Sequence, residues 1–353
     1  MRRIAVIPGD GIGPEVIREA VKVLQAVTDR SGLEIQVTQF EYDAKMYLAK
    51  GAILPDEQVE DFRRNFDALL LGALGDPRVP QMRHVRDFYV KLCAGLDLFL
   101  CYHLVKLHDA RYCPLKDKKP ADVNFTLFSE YGPDPHSVFG GAYRKGQPEE
   151  VVFRQHFISR GSLERLLGYA FEYARKRGLK CLTLSCNGHE LAPADDLWER
   201  VFAEVAREYP ELETEVMSVS QTATHLLRSP ERFHVIVTSS QYGDVLADLG
   251  AQLQGGLGLA AAGYLNPGRV SLFTPAHGPL NHKAGQNIVN PLGAISSVAL
   301  VLEHLGFHQE AGWVNGAVKY ALQTANVTHD LGGRLSTRQV GDFIIHQIRK
   351  GTC

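Results

Sequence analysis

The chain has 353 residues, of which 45% are hydrophobic, and its formal net charge is -2. This length can bury a large core, in two domains or in one large one. Acidic and basic residues are mixed, which excludes the basic face of a nucleic-acid-binding protein, and no apolar stretch approaches the roughly 18 residues that cross a membrane.

The N-terminus predicts a first β-strand rather than a signal peptide. Its apolar run, residues 4–7, is stopped by Pro8, well short of the roughly 7–15 apolar residues that a signal peptide needs. The six cysteines are scattered and form no C-x-x-C pair, which is typical of reduced thiols in a cytosolic protein. We therefore expect a cytoplasmic protein.

Strand and helix patterns alternate along the chain. Pro14 favours a helix start after the first strand, and residues 66–71, 180–185 and 234–238 are further apolar strand candidates. Ser162 is a candidate N-cap for an amphipathic helix, and a long apolar helix follows Pro291. This alternation predicts an α/β fold with a largely parallel central sheet.

One stretch, residues 107–146, breaks this alternation. It is rich in proline, glycine and lysine, with short extended runs such as residues 123–128. We interpret it as loops and antiparallel strands that project from the second domain.

Two loops carry candidate ligand-binding residues. Residues 8–15 (PGDGIGPE) suit a tight turn and a close backbone approach, but their G-x-G-x-G spacing is not the dinucleotide fingerprint. Residues 277–291 (HGPLNHKAGQNIVNP) offer the amides of Asn281 and Asn290 for a heterocycle edge, and His282 and Lys283 for an anion. The residues alone leave structural turns and polar surface loops open as alternatives.

Together the two loops resemble the isocitrate and isopropylmalate dehydrogenases, a family of β-decarboxylating 2-hydroxyacid dehydrogenases. The pattern is most similar to the tartrate dehydrogenase/decarboxylase (D-malate dehydrogenase) branch. The resemblance covers nearly the whole chain and includes LLLGALGDP at 69–77, CPLKDKKPADVNF at 113–125 and YLNPG at 264–268.

The resemblance implies an isopropylmalate dehydrogenase-like two-domain α/β fold. Residues 1–100 and 255–353 would form the first domain, and residues 101–254 the second, with a dimerisation arm at about 107–150. It also implies a homodimer with shared active sites, a small-molecule substrate, NAD or NADP, and Mg²⁺ or Mn²⁺. No nucleic acid or membrane partner is expected.

The substrate-binding positions depart from the family pattern. The family binds substrate carboxylates with three arginines, whose planar guanidinium groups match carboxylate geometry. The matching positions here are Cys93, His103 and Ser129, the last followed by Glu130. Cysteine and serine carry no fixed positive charge, and histidine carries one only when it is protonated.

The proton-transfer positions depart as well. The family tyrosine that acts as a general acid matches His136 without a gap, and Tyr143 if a gap is allowed. The family lysine that acts as a base, contributed by the partner subunit, matches Asn187, and the asparagine that follows it matches His189. An amide cannot accept the proton, whereas a histidine can transfer protons near neutral pH.

The metal positions are only partly kept. Asp244 and Asp248 match two family aspartates and would share one helix face, but the third matches Ser220. Carboxylates suit Mg²⁺ or Mn²⁺. The less favoured alternative is a rebuilt zinc or iron site, drawn from Cys93, His103, His136, His189, Asp244 and Asp248.

The cofactor positions depart least. On the resemblance, the set consists of Ile12, His277, Gly278, His282, Lys283, Ala284, Gly285 and Asn290. NAD-dependent members have an aspartate where His282 stands, and NADP-dependent members have Lys-Tyr at the positions of His282 and Lys283. The missing aspartate and the two potentially cationic groups favour NADP(H) or tolerance of both nucleotides.

Three functional hypotheses follow. The favoured one is an NAD(P)-dependent oxidoreductase that acts on a non-standard hydroxyl substrate, with or without decarboxylation. The second is a catalytically silent family member that serves as a binding or regulatory subunit of a hetero-oligomer. The third is a non-redox enzyme at a rebuilt metal site.

Overall fold

A computed structural model describes residues 1–51, 54–131, 139–155, 157–187 and 194–351. The strands are β1 (Arg2–Ile7), β2 (Ile35–Gln39), β3 (Ala68–Leu71), β4 (Leu100–Lys106), β5 (Asn124–Glu130), β6 (Phe139–Tyr143), β7 (Val151–Gln155), β8 (Cys181–Cys186), β9 (Glu213–Ser218), β10 (Val235–Thr238), β11 (Ala261–Leu265) and β12 (Ser271–Pro275). The helices are α1 (Gly13–Ser31), α2 (Ala44–Lys50), α3 (Asp56–Asn65), α4 (Arg83–Leu96), α5 (Arg160–Lys176), α6 (Ala194–Ala206), α7 (Val219–Arg228), α8 (Ser240–Leu253), α9 (Leu292–His304), α10 (His308–Gln323) and α11 (Thr337–Lys350).

Ten strands form one central sheet in the order β2-β1-β3-β12-β11-β4-β5-β10-β8-β9. Six of the nine strand pairs are parallel, and the three antiparallel pairs involve β11 and β4 at the centre. Strands such as β3 and β10 are buried along their whole length, as expected where helices cover both faces of a parallel sheet. The predicted α/β fold with a largely parallel sheet is confirmed.

The strand order follows the chain segments assigned to the two predicted domains. The first five strands, β2 to β11, come from residues 1–100 and 255–353, and the next five, β4 to β9, come from residues 100–254. The two segments meet where β11 pairs with β4, so that Ala262 lies opposite His103. The exact domain boundaries stay a prediction.

Part of the predicted arm belongs to the central sheet instead. The extended run within residues 107–150 is β5, which pairs with both β4 and β10 and is buried from Phe125 onward. Its apolar side chains gain more from burial between helices than they would on a projecting arm. A separate two-stranded sheet, formed by β6 and β7, occupies residues 139–155.

Helix termini follow the predicted chemistry with one correction. Pro14 lies in the first turn of α1, and Pro291 is the N-cap of α9. The N-cap of α5 is Ser159, whose hydroxyl accepts a hydrogen bond from the amide of Ser162, so the prediction that Ser162 is the cap was wrong. Both serines suit the role, and the Oγ that receives an amide three residues later defines the cap.

The core lies on both faces of the central sheet. On one face α1, α5 and α9 pack with α10 and α11, and α9 is buried along almost its whole length. Among the described residues, no helix combines the length and apolar character of a membrane-spanning segment.

Candidate functional site

The two predicted loops are in direct contact. The amide of Ile12 donates to the carbonyl oxygen of Pro279 over 2.8 Å, and the Nδ2 of Asn281 donates to the carbonyl oxygen of Gly75 over 2.9 Å. Gly11 has φ +59°, and a Cβ built on it would lie 2.0 Å from the Pro279 oxygen. Glycine is therefore required where the loops touch. The Ile12 side chain is buried and its amide is used within the protein.

A buried carboxylate organises the glycine loop. Asp10 accepts hydrogen bonds from the amides of Ala44 and Gly75, both over 2.8 Å, and lies 3.1 Å from the Nε2 of His84. His84 is fully buried at the start of α4. Sequence reasoning missed this pair because its members are 74 residues apart. An acid inside a glycine-rich turn was the one available signal, since such turns leave amides to be capped.

The second loop is held by the first helix. The amide of Gly285, which has φ +75°, donates to the Oε2 of Glu15 over 2.9 Å. Ala284 and Gly285 are exposed, as are His282 and Lys283 on a short 3-10 turn. These predicted cofactor residues therefore lie together on one exposed surface, and the hydrogen bond from Gly285 to Glu15 holds their loop against α1.

Asn290 is engaged within the protein. Its Oδ1 accepts from the amide of Leu292 and its Nδ2 donates to Asp330, each over 3.0 Å. The amide therefore orients the end of the loop.

A cavity of about 300 Å³ lies between the sheet and α8. It brings together five predicted site residues from three separate chain segments. These residues are His103 on β4, Asp244 and Asp248 on α8, and His277 and Gly278 after β12.

The two aspartates lie on successive turns of α8 and both line the cavity. Burial raises the pKa of Asp248 above its usual range. Ser220, the predicted third position, is exposed in the first turn of α7. Across the described parts of the chain, no three histidine, cysteine or acidic side chains come together as a metal site. The donors of this subunit therefore do not complete either predicted metal centre, and His136 and His189 lie outside the described residues.

The three positions that match the family arginines have different environments. His103 faces the cavity, and burial lowers its pKa to about 4, so the ring is neutral. Ser129 is buried under Gly243 of α8. Cys93 is buried on α4, where desolvation raises the pKa of its thiol to about 12. The thiol is hydrogen-bonded to Tyr131. No fixed positive charge replaces the arginines at these positions.

Glu130 lies on the opposite side of the sheet from Ser129. Side chains alternate along a strand, and Glu130 is paired with Leu100, which belongs to the core on the far face. Burial raises the Glu130 pKa to about 7, and its Oε2 has no hydrogen-bond partner among the described residues. This position does not support the prediction that Glu130 contacts the substrate beside Ser129.

The proton-transfer candidates are only partly described. Asn187, which matches the family lysine, uses its Nδ2 to donate to the hydroxyl of Tyr242 over 2.5 Å. His136 and His189 lie outside the described residues. Tyr143 is 62% exposed on the β6–β7 hairpin, and it does not line the cavity.

Sequence reasoning missed two tyrosines in the cavity wall. Tyr89 on α4 and Tyr264 on β11 both line it, with ring centroids 5.8 Å apart. Tyr89 is also hydrogen-bonded to Thr274. An aromatic residue in an amphipathic helix or strand is most often core, so neither position carried a signal of its own.

Comparison with known proteins gives consistent matches over the whole chain. Residues 3–344 match the isocitrate/isopropylmalate dehydrogenase family. The chain is 39% identical to a 3-isopropylmalate dehydrogenase of Thermobifida fusca, covering 98% of this chain and 97% of the relative. It is also 39% identical to one of Mycobacterium tuberculosis, with 97% and 98% covered.

Solved structures agree with these relatives. An isocitrate dehydrogenase from Methylococcus capsulatus has a TM-score of 0.87 at 28% identity, covering 99% of this chain and all of the other. A β-decarboxylating dehydrogenase from Thermococcus kodakarensis has a TM-score of 0.80 at 30% identity, covering 99% and 97%. The Thermobifida and Mycobacterium relatives are both named 3-isopropylmalate dehydrogenases, so the resemblance to the tartrate branch stays a prediction.

Proposed function

Because the chain belongs to the isocitrate/isopropylmalate dehydrogenase family, we propose that it is an NAD(P)-dependent oxidoreductase for a hydroxyl substrate that lacks the family's carboxylate pattern. The observation that carries this proposal is that His103, and not an arginine, lies in the cavity wall, where burial lowers the pKa of its ring. An uncharged imidazole cannot replace a guanidinium group as a carboxylate ligand.

The proposed reaction is hydride transfer without loss of CO2. A nicotinamide nucleotide, when bound, would supply the acceptor for the hydride of the carbinol C–H, and a histidine would take the hydroxyl proton, so that a ketone and NAD(P)H would be formed. Decarboxylation needs a β-carboxylate that is held and polarised, and the cavity offers no arginine for that group in the described chain.

The cofactor half of the proposal rests on the anchored loop pair. Ile12 is hydrogen-bonded to Pro279, and Gly285 is hydrogen-bonded to Glu15. The small residues Ala284 and Gly285 remain exposed, so that a planar ligand can approach the backbone there. His282 and Lys283 carry the two potentially cationic groups of this surface. We therefore favour NADP(H) over NAD(H), because a 2′-phosphate gains from cations nearby.

We also propose a homodimer. The β6–β7 hairpin exposes apolar side chains to solvent, with Val152 71% and Phe153 54% exposed. Apolar surface of this kind marks an interaction site. The family resemblance implies that this segment is an arm that contacts the partner subunit.

One contact favours the silent-subunit alternative. Asn187 is bonded to Tyr242 of its own chain, so the position that matches the catalytic lysine holds an amide with a structural role.

The test is a titration of the purified protein with NADH and NADPH, followed by nicotinamide fluorescence with and without Mg²⁺. Saturable binding with a Kd on the order of 1 μM, about -8 kcal/mol, is the expected result, with NADPH the tighter ligand. If neither nucleotide binds under either condition, the oxidoreductase proposal fails and the silent subunit is favoured.

A further inference from the structure

A short stretch just after β3, the shared segment (residues 73–75), contacts both loops and the cavity. Its first two residues line the cavity. The carbonyl oxygen of Ala73 accepts a hydrogen bond from the amide of Asp10 in the glycine loop over 2.7 Å. The carbonyl oxygen of Gly75 accepts one from the side chain of Asn281 in the second loop over 2.9 Å. The position of the shared segment therefore affects three parts of the candidate site together.

Both loops approach the shared segment more closely than side chains would allow. A Cβ built on Gly9 of the glycine loop would lie 2.2 Å from the Ala73 oxygen, and one built on Gly75 would lie 2.9 Å from the Cγ of Pro279. Atoms packed this closely cannot shift independently of one another. A displacement of the shared segment would therefore displace atoms of both loops.

The shared segment is held through Asp10, and Asp10 is held by His84. The Oδ2 of Asp10 accepts a hydrogen bond from the amide of Gly75 over 2.8 Å and lies 3.1 Å from the Nε2 of His84. A carboxylate oxygen accepts, so the Nε2–H of the imidazole is the donor. His84 is fully buried, and its Nδ1 has no hydrogen-bond partner among the described residues. Its polar contact is thus directed at the oxygen that also binds Gly75.

The backbone just before His84 is strained. Gln81 and Met82 have φ of 55° and 50°, in the left-handed region that is unfavourable for residues with a Cβ. The helix that follows, α4, begins without a side-chain cap. Strained backbone persists where the surrounding contacts fix it, and the bond from His84 to Asp10 is such a contact at the first turn of α4. The same helix places Tyr89 in the cavity wall.

We propose that His84 is a positioning residue, which fixes the shared segment through Asp10 and thereby holds the second loop in the arrangement that binds the nucleotide. The inference rests on the proposed oxidoreductase function, whose cofactor it takes to bind at the second loop. His84 is fully buried and does not line the cavity. It therefore acts through Asp10, Gly75 and Asn281 and not on a ligand.

Hydrogen–deuterium exchange on the full-length protein without ligand tests the link between the loops. His84→Leu removes the donor, whereas His84→Gln keeps an N–H near the position of Nε2. In His84→Leu, the amides of residues 72–79 and 277–285 should exchange at least about ten-fold faster than in the parent protein, and in His84→Gln they should stay within about three-fold.

Two further variants make this comparison specific. His84→Asn places its amide near the position of Nδ1 and not of Nε2, so it should behave like His84→Leu, and it replaces that variant if the leucine protein does not fold. Phe62→Leu is the matched control for lost packing, because Phe62 is fully buried on α3, which packs against α4. It should leave exchange in both segments within about three-fold of the parent protein.

A double-mutant cycle shows whether nucleotide affinity follows the same path. Fluorescence titration with NADPH gives the Kd for the parent protein, for His84→Leu, for Asn281→Ala and for the double variant. Each single variant should bind about five- to ten-fold more weakly, and His84→Gln should stay within about two-fold. Because His84 acts through the bond between Gly75 and Asn281, the double variant should bind at most about two-fold more weakly than Asn281→Ala alone.

Three results would overturn the inference. These are unaltered exchange of residues 277–285 in His84→Leu and His84→Asn, equal exchange in His84→Gln and His84→Leu, or losses of affinity that multiply in the double variant. If exchange responds as expected but the parent protein binds neither nucleotide, the positioning of the second loop by His84 is supported and the oxidoreductase proposal fails. If the nucleotide binds and no His84 variant changes its affinity, the positioning role alone fails.

Discussion

The Sγ of Cys101 lies 3.1 Å from the Nε2 of His103, on the face of β4 that is turned toward the cavity. The same thiol is hydrogen-bonded to Ser129 on the neighbouring strand. His103 and Ser129 occupy two positions that match family arginines, and Cys101 joins them. The three side chains therefore form a connected network of uncharged hydrogen-bonding groups where the family has arginines.

The buried His103 predicts a specific dependence of stability on pH. Its folded pKa of about 4 lies below the usual 6.5, so between these values the unfolded chain binds a proton that the folded chain does not. The contribution of this group to stability is therefore fully present above pH 6.5 and is lost as pH falls toward 4, by roughly 3 kcal/mol.

His103→Gln should flatten this acid limb in part, because His108 has a similarly lowered pKa of about 4 and remains, as do His277 and His304, whose pKa values burial also lowers. The measurement is the free energy of unfolding in urea at pH 4.5, 5.5, 6.5 and 7.5. Glu130, whose pKa is raised to about 7, contributes the opposite slope, but it is common to all variants and cancels. His108→Gln should flatten the limb to a similar extent. An unaltered slope in His103→Gln would mean that the ring is already solvated.

The junction of the two loops predicts a strongly destabilising glycine substitution. A methyl group at Gly11 would meet the Pro279 oxygen at 2.0 Å, in addition to the strain of φ +59°. Gly11→Ala should cost at least about 3 kcal/mol in unfolding free energy. Gly32→Ala is the matched control, since Gly32 has φ +73° but nothing within 4 Å, and it should cost about 1 kcal/mol. If the two variants lost equal amounts of unfolding free energy, the steric contact between Gly11 and Pro279 would not contribute to stability.

The elements and the family could be predicted because their signals are local. The buried runs of β3 and β10 and the proline before α9 can be read from a few adjacent residues. The loop motifs likewise lie in short continuous stretches, and the α8 aspartates were expected on one face from their spacing alone.

The site network could not be predicted because its contacts join distant segments. The distance between Cys101 and His103 was accessible in principle, since residues two apart on a strand share a face. The link from Asp10 to His84 spans 74 residues and that from Asn290 to Asp330 spans 40, and no periodicity encodes them. Adjacency in sequence suggested that Glu130 and Ser129 act together, whereas strand alternation turns their side chains to opposite faces of the sheet.

The contact between Glu15 and Gly285 predicts that helix α1 controls cofactor affinity without touching the cofactor. Glu15→Ala removes the acceptor for the Gly285 amide and frees the loop, so NADPH should bind about three- to ten-fold more weakly. Glu15→Gln should restore most of the affinity, because an amide oxygen accepts the same bond. Fluorescence titration measures both, with exposed Glu57→Ala on α3 as the control. Equal affinity for Glu15→Ala and the parent protein would show that the loop is held by other contacts.

The exposed pair His282 and Lys283 predicts how nucleotide preference can be reversed. His282→Asp places a carboxylate on this surface, where it would repel a 2′-phosphate and accept a hydrogen bond from a ribose hydroxyl. The ratio of the Kd for NADPH to that for NADH should rise at least ten-fold. Lys283→Ala should weaken NADPH without improving NADH, since it removes a cation and adds no acceptor. If His282→Asp leaves the ratio unchanged, the ribose of the bound nucleotide lies elsewhere, and the preference for NADP(H) loses its physical basis.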